Sequence, residues 1–86
     1  MTHSPLKVRL LLGSPVIYRI VVQGLLDQEA SEFLGGLRIT TCRRAEHSPT
    51  TALEGQLGDQ AQLLGVLNSL YELHLPIIAV EVLETA

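Results

Sequence analysis

The tightest constraint in this sequence is a helix that runs almost without a linker into a strand. Gly58 to His74 has the period of an amphipathic helix, and Leu75-Pro76 leads at once into the apolar run Ile77 to Leu83. At an advance of about 100° per residue, Leu63, Leu64, Val66, Leu67, Leu70 and Tyr71 gather on one face, while Ala61, Gly65, Asn68 and Glu72 fall opposite. Asp59 followed three residues later by Gln62 fits a capping box, with a carboxylate at the positive end of the helix dipole. A helix with one apolar face needs an apolar surface to cover, so the upstream chain is predicted to supply a sheet.

That sheet is legible in pieces. Val16 to Gln23 is rich in β-branched residues and places Val16, Tyr18, Ile20 and Val22 on one side, with Ile17, Arg19, Val21 and Gln23 on the other. Gly24 ends this strand, Asp27 can cap a short helix through Phe33 and Leu34, and Gly35-Gly36 supplies a left-handed exit. Leu37 to Cys42 resumes as a strand. Arg44 to Pro49 is a polar turn region, and Thr50 to Leu57 is a further strand with Thr51, Leu53 and Leu57 inward.

The order strand, helix, strand, strand, helix, strand with short connections predicts an α+β fold, a ferredoxin-like βαββαβ two-layer sandwich. Right-handed crossovers would place both helices on one face of an antiparallel sheet, with the first and third strands at its centre. The other face is left open. Alternation puts Ile17, Arg19, Val21 and Gln23, then Arg38, Thr40, Cys42 and Arg44, then Thr50, Ala52, Glu54 and Gln56, then Ile77, Ala79, Glu81 and Leu83 on it. Arg19 would lie between the strands bearing Glu54 and Glu81, where cross-strand ion pairs are expected if the registers align. Residues 16–86 form this single domain. Residues 1–15 are read as a loose tail and an additional amino-terminal edge strand, because Leu6, Val8, Leu10 and Leu12 alternate with Lys7, Arg9 and Leu11 before Gly13-Ser14-Pro15.

At 86 residues, only about 60% of the unfolded chain's surface is buried on folding, so the core is thin. With one Phe, two Tyr and no Trp it is also aliphatic. A second subunit would relieve the shortage of buried surface. The net charge of −3 removes the attraction that supplies most nucleic-acid affinity, and no basic run exceeds Arg43-Arg44. One cysteine cannot form an internal disulfide, which excludes a disulfide-stapled secreted domain and makes a reducing cytosol the default. No segment approaches the roughly 20 apolar residues needed to span a bilayer, and Leu10-Leu11-Leu12 is too short for a signal-peptide core. Two cations near the amino terminus are too few for lasting attachment to a membrane surface.

The chemistry-bearing residues are few and scattered. His3, His47 and His74 fall in a tail, a turn and a helix end, so no metal-ligand spacing exists and no cofactor is implied. His74 lies on the helix's apolar side and reads as a partly buried residue at the negative end of the dipole. Cys42 with His47 is the candidate nucleophile and base, against the commoner meaning of a lone strand cysteine, inert packing. Arg38, Arg43 and Arg44 are candidates for an anion site, against the commoner meaning of a solvated edge. Tyr18 is the one aromatic on the central strands and faces the core, so base stacking of the RRM kind is not expected. Val22-Gln23-Gly24, at a strand-to-helix turn, resembles the phosphate loop of acylphosphatases. The chain then continues Leu25-Leu26-Asp27 where that family has a phenylalanine and an anion-gripping arginine, and Asp27 would repel a phosphate.

From Tyr18 to Glu81 the chain resembles a family of short, mostly uncharacterised bacterial proteins. The resemblance rests on Thr50-Thr51-Ala52-Leu53-Glu54-Gly55, Asp59-Gln60-Ala61, Leu63, Gly65-Val66-Leu67 and Leu75-Pro76-Ile77. Leu64 stands where many members have histidine, and Ala30 and Phe33 stand where members tend to have tryptophan. The resemblance supports the ferredoxin-like fold and implies no activity.

Because no base, nucleophile and orienting group stand at workable mutual positions, the chain is not expected to be an enzyme. The function expected is a cytoplasmic interaction or small-ligand-sensing module, a homodimer or higher homo-oligomer joined through the open sheet face. Ile17, Val21, Ile77, Ala79 and Leu83 would be the apolar part of that interface, with Arg19, Glu54 and Glu81 setting its register. An obligate interface of this kind would bury roughly 2,000 Å² or more. The competing expectation is a small cytosolic enzyme that uses Cys42 and His47 or the arginines.

Overall fold

The structure is a computed structural model that describes residues 15–85. The tail and extra strand expected within residues 1–15 lie, apart from Pro15, outside the described residues. Strand β1 (Val16–Gln23) is followed by a 3-10 helix (Gln28–Phe33), β2 (Arg38–Arg44), β3 (His47–Leu57), helix α1 (Gln60–Glu72) and β4 (Ile77–Thr85). The result is a small α+β fold, an open four-stranded sheet in the order β2-β3-β1-β4 in which every neighbouring pair is antiparallel.

β1 owes its central place to its alternation. Val16, Tyr18, Ile20 and Val22 are buried, while Ile17, Arg19 and Val21 are half-buried on the opposite side. Only a strand flanked on both edges and covered on one face shows that pattern over its whole length. Opposite it, β3 buries Thr51, Leu53 and Leu57, and the helical layer adds Ala30, Leu34, Val66 and Leu70. Each fully buried Leu, Ile or Val contributes about 1.5–3 kcal/mol relative to exposure, which makes an almost wholly aliphatic core workable at this size.

The first helix is shorter and tighter than its sequence suggests. Asp27 is its N-cap residue, yet the side chain makes no capping hydrogen bond, and the segment winds as a 3-10 helix of six residues. Its polar side chains bond outward. Gln28 Nε2 donates to the Ile39 carbonyl at 2.7 Å, and Ser31 Oγ donates to the Leu37 carbonyl at 2.7 Å. These bonds tether the segment to the start of β2, and a single short turn so tethered gains little from α-helical pitch. The exit is the expected one, with Gly35 and Gly36 at φ 76° and 72°.

The β2–β3 connection is also tighter than expected. Ala45-Glu46 alone forms the turn, and β3 begins at His47 rather than Thr50. The register passes from Cys42↔Thr50 to Arg44↔His47, so Ser48 and Pro49 together oppose Arg43. This bulge accommodates Pro49, which has no N–H to give to the ladder.

Helix α1 begins as its capping residues specify. The Asp59 carboxylate accepts from the Gln62 N–H at 2.9 Å, while the Gln62 side-chain oxygen accepts from the Gly58 N–H, one residue before the usual partner. Its buried stripe is narrower than the sequence implies. Val66 and Leu70 are buried and Leu63 and Leu67 partly so, but Leu64 and Tyr71, about 100° round the helix, are 52% and 78% exposed. The reason is architectural: among the described residues there is no second α-helix to pack against that flank.

At its other end His74 adopts the left-handed conformation, φ 62°, usually taken by glycine. The His74 N–H donates to the Tyr71 carbonyl (3.0 Å) and the Leu75 N–H to the Leu70 carbonyl (3.1 Å), the paired bonds of a Schellman motif. His74 is exposed, not partly buried, because the left-handed turn swings it off the helix as Leu75 returns to the core. Replacing it with glycine removes the Cβ conflict of this backbone and is expected to raise unfolding stability by up to about 1 kcal/mol in urea denaturation. A loss of stability would show instead that the imidazole makes contacts of its own.

Candidate functional site

The sheet face that no described element covers has a charged centre. Arg19 on β1 is paired in register with Glu54 on β3 and Glu81 on β4, and its guanidinium meets both carboxylates, Nε to Glu54 Oε2 at 2.5 Å and Nη1 to Glu81 Oε1 at 3.5 Å. The hydrogen bond to Glu54 and that residue's charge, more than Glu81, hold the guanidinium pKa above its already high ordinary value. These groups are all solvent-accessible, so the bonds fix strand register and side-chain direction more than they stabilise the fold. Ile17, Val21 and Ala79 surround this centre, each half-buried.

Two residues expected on this face are not placed there by the pairing. The β1–β4 register runs Val21↔Ala79 and then Val22↔Ile77, so Ile78 is an extra residue and Ile77 stands opposite Val22, whose side chain belongs to the helix-covered side. A second shift, from Ile17↔Glu84 to Tyr18↔Val82, leaves Leu83 unpaired. Strict alternation along β4 therefore fails at both ends, and the apolar part of the open face reduces to Ile17, Val21, Ala52 and Ala79. Tyr18 lies on the other side, deep in the core, where burial pushes its phenol above the ordinary 10.0.

The three arginines do not converge. Arg38 stands opposite Glu54 at one end of β2 and Arg44 opposite His47 at the other, six residues apart or about 20 Å, while Arg43 faces the bulge. Cys42 and His47 are brought nearer. Both line an open hollow of about 300 Å³ beside the β2–β3 turn, together with Arg44, Ser48 and Thr50. Its walls are strand residues, and Cys42 is exposed. Among the described residues no group of three or more His, Cys, Asp or Glu side chains is arranged to hold a metal ion.

A second hollow, about 470 Å³, lies between the 3-10 helix and the end of α1. Leu25, Phe33 and Leu73 supply apolar wall, and Asp27, Glu29 and Glu32 put carboxylates around it. Sequence reasoning missed it, because it joins residues some 40 positions apart that share no motif (Phe33 and Leu73).

The motif Val22-Gln23-Gly24 has a structural role. Gly24 sits at φ 120°, and a Cβ there would lie 2.6 Å from Leu75 Cδ2. Its N–H donates to the Pro49 carbonyl at 2.8 Å, its carbonyl accepts from the buried Thr51 hydroxyl at 2.7 Å, and the Gln23 N–H donates to the Pro76 carbonyl at 2.9 Å. With its own backbone groups bonded within the protein, this turn offers no phosphate cradle. Other residues between Leu53 and Leu67 serve the fold in the same way. Leu53 is core, Asp59 caps α1, Leu63 and Leu67 pack against the core, and Gly55 leaves room for Leu37, whose Cδ2 would lie 2.9 Å from a Cβ at that position.

Fold and face together define a small open-sheet α+β domain. The chain belongs to a family described as a domain of unknown function, DUF8691, which it matches over residues 17–81. Neither the curated proteins nor the solved structures contain a match. No helix among the described residues is long and apolar enough to cross a membrane.

Proposed function

We propose that this protein is a cytosolic interaction or small-ligand-sensing module that works as a homo-oligomer through its uncovered sheet face, built on a ferredoxin-like βαββαβ frame whose first helix has contracted to a 3-10 turn. The strand order, with both β1–β2 and β3–β4 connections stepping over one neighbouring strand, supports the frame. The observation that carries the function is the open face itself, where a fixed Arg19–Glu54–Glu81 cluster is bordered by Ile17, Val21 and Ala79. A second copy would cover the apolar border, and the charged cluster would select one docking register. Light scattering over a dilution series is expected to show a dimer or larger species at micromolar concentration that Val21→Glu dissociates. A monomer whose state Val21→Glu leaves unchanged overturns the proposal.

A second reading is enzymatic and has one observation in its favour, the hollow that Cys42 and His47 share with Arg44, Ser48 and Thr50. It predicts Cys42 alkylation that is fast below about pH 7 and slowed by His47→Ala. Labelling that His47→Ala does not change leaves the interaction module as the reading to keep.

A further inference from the structure

The two edges of the sheet are unlike. β2 carries Arg38, Arg43 and Arg44 and faces a proline bulge in β3, the charges and irregularity that keep an edge from pairing. β4 is nine residues long, and Ile77, Ile78, Val80, Val82 and Leu83 along it are each between 40% and 55% exposed. Val80 and Val82 stand opposite Ile20 and Tyr18, on the side the helices should cover, but α1 lies over β3 and the 3-10 helix beside β2. Glu81 and Glu84 point to the other side, as their partners Arg19 and Ile17 do. Among the described residues β4 thus offers an unpaired backbone edge with an apolar strip on one side and two carboxylates on the other.

Leu6–Leu12 is the complement of that edge in the same chain. Leu6, Val8, Leu10 and Leu12 alternate with Lys7, Arg9 and Leu11, giving a wholly apolar side and a side with two cations and one leucine. The connection is also right. The chain enters β1 at Val16, which is paired with Thr85 at the end of β4. A strand beyond β4 lies two spacings from β1, about 10 Å, whereas Leu12 to Val16 can span about 13 Å when extended. We propose that Leu6–Leu12 adds to the outer edge of β4 within the same chain, parallel to it, covering Val80 and Val82 and bringing Lys7 and Arg9 to Glu81 and Glu84. The proposal adds two cations at the rim of the open face but needs no second copy, so its test reads apart from that of the oligomer.

The test is disulfide trapping in the full chain with Cys42→Ser. Val8→Cys with Val82→Cys is expected to give, under mild oxidation, at least about tenfold more intramolecular disulfide than Val8→Cys with Thr40→Cys on the far edge. A yield no higher than that control, or disulfide-linked dimers only, overturns the proposal, and the dimers would assign the edge to a second copy. In case the paired cysteines disturb folding, hydrogen exchange on the unmodified chain gives a second reading. Amides between Lys7 and Leu12 are expected to exchange at least about tenfold slower than an unstructured peptide, and exchange at the unstructured rate contradicts the added strand.

Discussion

A four-stranded sheet needs an apolar layer on at least one face, and the described residues supply one α-helix and a six-residue 3-10 helix to make it. Everything else in the structure follows from how far that layer reaches. Val66 and Leu70 of α1, with Ala30 and Leu34 from around the 3-10 helix, close over β1 and β3, where Ile20, Val22 and Leu53 are wholly buried. Past β1 the layer formed by the described residues runs out, and Val80 and Val82 on β4 stay 44% exposed although they share a side with the core. Leu64 and Tyr71 are exposed on the helix for the same reason. Among the described residues burial is thus concentrated at the sheet's centre, and the helix-side residues of β4 are left half exposed.

What the sequence made legible is what depends on local pattern. The alternation of β1, the Asp59–Gln62 cap, the Gly35-Gly36 exit and the Arg19 pairs with Glu54 and Glu81 all arise from spacing within one element or between adjacent strands. What it hid depends on the partner of a residue. The bulges that turn Ile77 away from the open face and leave Leu83 unpaired exist only in the β1–β4 register, and periodicity along β4 reads as unbroken. Leu64 and Tyr71 fit the helical period of the apolar face, and only the missing neighbour shows that they are not core. Pro49 did carry a local signal, but it reads equally as a turn or as a bulged strand.

The candidate site was less legible than the fold, for a physical reason. Thr51, Gly55, Asp59 and Leu75 are held by hydrogen bonds, close backbone approach and burial within the protein, so their chemistry is spent on the fold. Val21, Ala79, Cys42, His47 and the carboxylates around Phe33 lie on the open face or line surface hollows, and which of them stand together depends on strand register and on contacts between distant segments.

The central claim is that one helix seals the core against β1 and β3 in a single cooperative unit. Residue-resolved hydrogen exchange measures this directly. The account predicts that the amides of Ile20, Val22 and Leu53 and those of Val66 and Leu70 share the slowest rates and respond together to denaturant, as groups exposed only by global unfolding do. Exchange of the α1 amides at the rate of the Ala45-Glu46 turn, while β1 and β3 remain protected, would contradict it and show that the sheet holds without its helix.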